Sequence, residues 1–212
     1  MRFTLKTMDK VCVVIQGPSE YIHEQKTAWG TTQLIFSTWK GNEDKYTSDD
    51  IVIFNEIPEN PGFKNYELQR LSTYNGILLA KELGFEYVLK LRSDLIPSSG
   101  DNFLKSLDFN LINFLCWHDS HVHNDFHGYL VDYLMFGQIE KMLKIWDSNY
   151  TKYNVPELSM TKQYFDLFDV SNLNFFLKSL NDKNELIWKK YGINLSTYNN
   201  HGGFRTDKFQ LI

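Results

Sequence analysis

The sequence predicts an α/β fold, a mostly parallel central sheet flanked by helices, in a single domain. Three observations predict it. The first hundred residues alternate short apolar runs with helix-spaced segments, the signature of parallel strands joined by crossover helices. Residues 11–18, VCVVIQGP, form a continuous apolar run that breaks at Gly17-Pro18, as a strand buried on both faces does. The strand candidates also end in polar groups, although the strands themselves are apolar. Those ends read Gln16-Gly17-Pro18, Ser37-Thr38-Trp39, Asn55-Glu56 and Arg92-Ser93-Asp94. Open α/β sheets bind ligands at the carboxyl ends of their strands.

The elements follow in order. After the first strand, residues 19–30 read as a short helix with Ser19 as its cap. Residues 33–41 and 50–58 are the next strands. Residues 65–85 space Leu68, Leu71, Leu78, Leu79 and Leu83 at helical intervals, and Gly84 is a natural stop. Residues 87–97, YVLKLRSDLIP, read as a strand with an apolar face of Tyr87, Leu89 and Leu91. Its other face carries Lys90, Arg92 and Asp94 at i, i+2 and i+4. Beyond it the pattern is less regular. Residues 111–120 and 129–137 read as strands. Residues 138–150 and 156–168 read as helices, the second with Pro156 in its first turn. Residues 170–192 read as mostly helical and 196–212 as irregular. No internal repeat or low-complexity linker interrupts the chain.

Composition bounds the function classes. With 212 residues, 42% of them hydrophobic, the chain can bury one sizeable core. A net charge of -4 argues against a nucleic-acid partner. Cys12 and Cys116 sit inside apolar runs and read as buried thiols in a reducing compartment. No apolar run approaches the roughly 18 residues of a membrane span. The first ten residues lack the apolar core of a signal peptide. The expectation is a soluble cytoplasmic protein, at most peripheral to a membrane.

The charged stripe carries the chemistry. A central strand cannot cheaply bury Lys90, Arg92 and Asp94, so they pair with one another or face a wet crevice. In a crevice they suit a phosphorylated ligand. Asp94 could hold a divalent ion that bridges diphosphate oxygens, and Arg92 or Lys90 could bind phosphate directly. An internal ion-pair cluster is the alternative. Farther along, residues 117–128 hold four of the six histidines. His121 and His123 share a face if that segment is extended. The segment lacks zinc-motif spacing, which favours an acceptor-binding loop of His118, Asp119, His121 and His123. A metal-dependent hydrolase built on this segment is the rival class. Asp132 is a lone acid in an apolar strand-like run. Burial there would raise its pKa, which suits a general base for an acceptor hydroxyl. Asp119 and Glu157 are alternatives for that role.

Four motifs occur in order: Q-G-P at 16–18, S-T-W at 37–39, N-x-x-x-Q-R-x-S-T at 65–73 and K-x-R-S-D at 90–94. Through them residues 11–97 resemble the WavE-type family, glycosyltransferases of lipopolysaccharide and capsule synthesis. A weaker echo continues at 129–137 and 156–158. The resemblance implies a glycosyltransferase A-type fold, with a nucleotide-sugar-binding half at 1–97 and an acceptor-binding half at 98–212. It implies that Gln16, Gly17 and Pro18 border the base, and that Ser37, Thr38 and Trp39 lie beside base and ribose. Asn65, Gln69 and Arg70 would meet sugar or diphosphate, as would Lys90, Arg92, Ser93 and Asp94. The donor would be a UDP- or GDP-sugar and the acceptor a glycan. The usual Asp-x-Asp of this fold is Arg92-Ser93-Asp94 here. A Mn²⁺ or Mg²⁺ ion would then rest on Asp94, with His201 near the diphosphate, and Arg92 would supply the charge that the missing acid's metal otherwise brings. A catalytically silent sugar-nucleotide or glycan-binding module is the remaining alternative.

Overall fold

The computed structural model describes residues 8–62, 65–97, 99–105, 107–118, 129–147, 173–179, 193–195 and 209–211. For 114–118, 129–132 and the last three segments it describes the backbone alone. The first half follows the expected alternation. Strand β1 is Val11–Gln16, helix α1 Ile22–Trp29, β2 Gln33–Trp39, β3 Ile51–Asn55, helix α2 Tyr66–Glu82 and β4 Tyr87–Arg92. Then come β5 (Leu95–Pro97), α3 (Gly100–Lys105), β6 (Ile112–His118), β7 (Tyr129–Gln138), α4 (Ile139–Trp146), β8 (Leu173–Ser179), β9 (Ile193–Leu195) and β10 (Phe209–Leu211).

Seven strands make one sheet in the order β3-β2-β1-β4-β7-β6-β8. Strand β7 runs antiparallel to both of its neighbours, and the other four pairings are parallel. Three short strands form a second sheet in the order β5-β10-β9. Among the described residues no helix is long and apolar enough to cross a membrane.

Every residue of β1 is buried, which is why its sequence is apolar without alternation. Its odd residues Val11, Val13 and Ile15 join a core with Trp29, Phe36, Leu89, Leu91 and Phe103. Cys12 and Val14 face the opposite core, with Ile35, Ile77, Val88 and Trp146. The sheet is thus covered on both sides.

Helix α2 departs from the leucine pattern. Its buried residues are Ser72, Thr73, Gly76, Ile77 and Ala80, whereas Leu83 is 48% exposed. The helix lies too close to the sheet for large side chains. A Cβ on Gly76 would stand 2.5 Å from Val14 Cγ1 and 3.0 Å from Ser37 Cβ. The small face buys that approach, and the leucines take the flanks. The helix ends as its sequence predicts. Gly84, at φ 87°, donates to the Lys81 carbonyl, and Phe85 to that of Ala80. These are the two hydrogen bonds of a Schellman cap.

Three other expectations are corrected. Ser19 does not cap α1. The N-cap is Tyr21, without a side-chain bond, and the Ser19 hydroxyl is engaged with Thr38 and Tyr46 instead. Residues 173–179, expected helical, form β8 parallel to β6. Residues 209–211, in the tail expected to be irregular, form β10 beside β5. In both places an open strand edge supplies ladder partners, and pairing overrides local propensity.

Candidate functional site

The parallel order of β1 to β4 brings their carboxyl ends to one edge of the sheet. There the expected polar residues converge, and two backbone bonds tie their loops together. Gly17 donates to the Ser37 carbonyl at 3.2 Å, and Ser93 donates to that of Gln16 at 2.9 Å. Gly17 has φ 129°, and a Cβ there would lie 2.8 Å from Ser93 Oγ. Only glycine fits, because its conformation and its close neighbour both forbid a side chain.

Beside this junction lies a narrow cleft with a cavity volume of only about 10 Å³, lined by Gly17, Pro18, Tyr21, Gln25, Tyr46 and Ser93 among others. Ligand pockets generally begin at roughly 300 Å³. The described residues by themselves therefore supply a wall rather than a complete pocket. One side of that wall carries hydroxyls. Tyr46 donates to Ser19 Oγ at 2.7 Å, and Ser19 and Thr38 share a hydrogen bond of 2.9 Å. Burial raises the Tyr46 pKa against the lowering effect of its hydroxyl neighbours, so it stays a proton donor.

The three stripe charges do not share one environment. Lys90 is completely buried, with Nζ 5.0 Å from the centre of the Trp146 ring. It lies under α4, not in the cleft. Arg92 and Asp94 pair with each other: Nε donates to Oδ1 at 2.9 Å and Nη2 to Oδ2 at 2.5 Å. Each side chain keeps 24% of its exposure, and Arg92 Cζ rests 4.3 Å from the centre of the Tyr133 ring. The fork of the guanidinium matches the carboxylate, so this is a bidentate, charge-assisted pair. The pair is internal, yet water reaches it.

The remaining donor-side candidates divide into edge and interior. Gln16 is buried, and its Oε1 has no hydrogen-bond partner among the described residues. Ser37 lies wholly inside, donating to the Ser72 carbonyl at 2.5 Å and accepting from Asn55 Nδ2 at 3.0 Å. Asn55 also donates to the Thr38 carbonyl and accepts from Asn75. This network stitches α2 to the sheet, so Ser37 is spoken for. Trp39 is half-buried, and Asn65 is exposed at the mouth of α2 in the left-handed region, φ 64°. Gln69 leaves Oε1 buried without a partner among the described residues. Arg70 is held by Glu67 at 3.0 Å and reaches the Trp146 carbonyl at 3.4 Å. It thus bridges α2 to the end of α4, with little left for a diphosphate.

On the acceptor side, Asp119, His121, His123, Glu157 and His201 lie outside the described residues. His118 and Asp132 are placed by backbone only, at the end of β6 and in β7. Leu134 pairs with Leu91, so the Asp132 backbone, two residues on, stands at the carboxyl end of β4. Among the described residues no three His, Cys, Asp or Glu side chains come together to hold a metal. Asp94 is partly exposed in the turn after β4, and both of its oxygens serve Arg92. A divalent cation could take Asp94 only in exchange for the guanidinium.

Gln25 carries no sequence signal for a role here. It is completely buried on α1, and its Nε2 donates to the carbonyls of Ser93 and Leu95 at 2.8 and 2.7 Å. Its Oε1 accepts from Trp29 Nε1 at 2.9 Å. A glutamine in a short helix with polar neighbours reads as surface; only the three-dimensional path of the 92–95 turn gives it work.

No known protein-family model matches the chain, and no curated protein matches it. Solved structures do. One is a candidate nucleotide-diphospho-sugar transferase from Desulfovibrio desulfuricans G20, with TM-score 0.51, 9% identity and 80% of each chain covered. Another is a glycosyltransferase involved in the glycosylation of the major capsid of PBCV-1, at TM-score 0.48, 10% identity and coverage of 79% and 82%. The second score is too low to carry argument. At 9% identity the first likeness speaks for the fold, which is the glycosyltransferase A-type α/β fold, and it does not reach the WavE-type family in particular.

Proposed function

We propose that this chain is a glycosyltransferase that moves a sugar from a nucleotide-diphosphate donor, a UDP- or GDP-sugar, to a glycan acceptor. The observation that carries the reading is the Arg92-Ser93-Asp94 turn. It closes β4 against Gly17, at the sheet edge where such folds bind ligands, and offers a water-accessible guanidinium already in bidentate geometry. A diphosphate presents the same paired oxygens that the Asp94 carboxylate does, and would take its place on Arg92.

The chemistry follows from that exchange. Breaking the bond from sugar to diphosphate builds negative charge on the leaving oxygen, and Arg92 stabilises it. The acceptor hydroxyl must lose a proton as it attacks. Asp132 is the proposed base, its backbone lying at the carboxyl end of β4. Acceptor recognition is assigned to the second half, with His118, Asp119, His121, His123 and Glu157 as candidates. A divalent ion, Mn²⁺ or Mg²⁺, would supply further charge on the diphosphate. The proposal places Asp94 in its shell, with His201 as the second candidate ligand. The likeness in fold to a candidate nucleotide-diphospho-sugar transferase supports the donor class. Lipopolysaccharide or capsule synthesis rests on the motif resemblance.

The test is a thermal-shift panel of UDP-, GDP-, CMP- and dTDP-sugars, each with and without Mn²⁺. A true donor raises the melting temperature by mass action, by an amount that grows with its concentration. Arg92→Met should abolish that rise. No response to any of the four, or an undiminished response in Arg92→Met, would sink the reading.

A further inference from the structure

We propose that Gln25 is the positioning residue of the donor site, holding the Arg92-Ser93-Asp94 turn in the shape in which its ion pair forms. The inference rests on the donor reading above. Its evidence is the complete use of one buried amide. The two N–H bonds of Nε2 go to two carbonyls on either side of Asp94, those of Ser93 and Leu95. Such a turn leaves strand β4 and enters β5 within two residues. Its carbonyls face into the protein, where they would otherwise be desolvated without partners.

The orientation of that amide is fixed by chemistry. Trp29 Nε1 can only donate, so the group facing it at 2.9 Å is the Gln25 oxygen, and the nitrogen must face the turn. Trp29 is in turn 1% exposed and packed edge-on against Phe103. A chain of contacts therefore runs from α3 through Trp29 and Gln25 to the turn. Pulling both carbonyls toward α1 leaves the Asp94 side chain on the other side, where it meets Arg92. It also sets Ser93 against Gly17, where no side chain fits.

The role separates from plain stability by comparing Gln25→Met with Ile77→Val, a core change on the opposite face of the sheet. Two readings are taken on each: amide hydrogen exchange across 92–96, and UDP and GDP affinity by titration calorimetry. Gln25→Met should speed exchange across 92–96 at least tenfold against residues 51–55 in β3. It should weaken the bound nucleotide at least tenfold. Ile77→Val should change neither. Unchanged exchange in Gln25→Met, or equal losses in both variants, overturns the proposal. If neither UDP nor GDP binds the unaltered protein, the donor reading fails and exchange alone decides whether Gln25 holds the turn. Should Gln25→Met not fold, Trp29→Phe frees the amide to rotate, and the same two readings should shift at least threefold. No shift there overturns the proposal equally.

Discussion

Gly100 opens α3, and its substitution by alanine tests the packing on which the site rests. A Cβ at this position would stand 2.2 Å from Trp29 Cε3, 2.7 Å from Cδ2 and 2.9 Å from Cζ3. Carbon atoms in contact prefer about 3.5–4.0 Å, so the nearest overlap exceeds 1 Å, by roughly the difference of those figures. The ring cannot yield cheaply, since its Nε1 is bonded to Gln25 and its edge is packed on Phe103. Overpacking of this kind costs about 1–3 kcal/mol, and a rigid ring places Gly100→Ala near the top of that range. Alanine returns at most about 1 kcal/mol of helix propensity. The net loss is about 2 kcal/mol. For a chain of this length each kcal/mol lowers the melting temperature by about 2–4 °C, so thermal unfolding by circular dichroism should show a fall of about 4–8 °C. In a Trp29→Phe background, which lacks the struck ring atoms, Gly100→Ala should cost less than it does in the parent. A Gly100→Ala protein that melts at or above the parent temperature would refute the packing argument, and with it the rigidity assigned to Trp29.

Three further outcomes are expected. Asp94→Asn removes the competitor for Arg92, and without added metal it should tighten UDP or GDP binding about three- to tenfold by calorimetry, the scale of one screened charge contact; looser binding would contradict the exchange. Burial drives the Cys12 thiol pKa far above its usual value, so the native protein should resist iodoacetamide at this residue at pH 8 and react there only on unfolding, as read by peptide mass. Burial pushes the Asp50 pKa up, but hydrogen bonds from Lys26 and Thr47 outweigh it and hold it below the ordinary carboxylate value. A lowered folded-state pKa gives stability that is full above about pH 4 and is lost as pH falls through the folded value. Asp50→Asn should therefore be less stable than the parent at pH 7, and the gap should narrow on acidification below pH 4 in urea titrations.

The first half of the fold was legible because its signals were local. Strands β1 to β4 announce themselves as apolar runs, and Gly84 marks the end of α2 by a cap whose two hydrogen bonds are present. What misled was any feature decided by depth. Leu68 to Leu83 suggest the inner face of α2, yet Gly76 sets a helix-to-sheet distance that admits only small groups there. Ser37 and Thr38 are neighbours in one motif, but one is consumed by the α2 network and the other joins the cleft hydroxyls. Gln25 and Tyr46 were invisible, because nothing in a sequence says which carbonyl or hydroxyl will lie opposite. Strands β8 and β10 were missed for a related reason: their partners, β6 and β5, are distant in the chain.

The charged stripe shows how depth decides function along a single strand. Residues at i, i+2 and i+4 share a face but not a solvent, since each step of two moves about 6.6 Å along the strand. Lys90 is two residues inside the edge, and α4 covers it. An ammonium over an aromatic face gains about 2 kcal/mol when desolvated, less than the several kcal/mol that burying a cation costs. The Trp146 ring is therefore only part of what holds it. Arg92 reaches the edge, where partial hydration makes its pair with Asp94 cheap to exchange. Asp94 lies past the last strand residue, in a turn fixed by Gln25. One charge is thereby built in, and the next two are poised against each other.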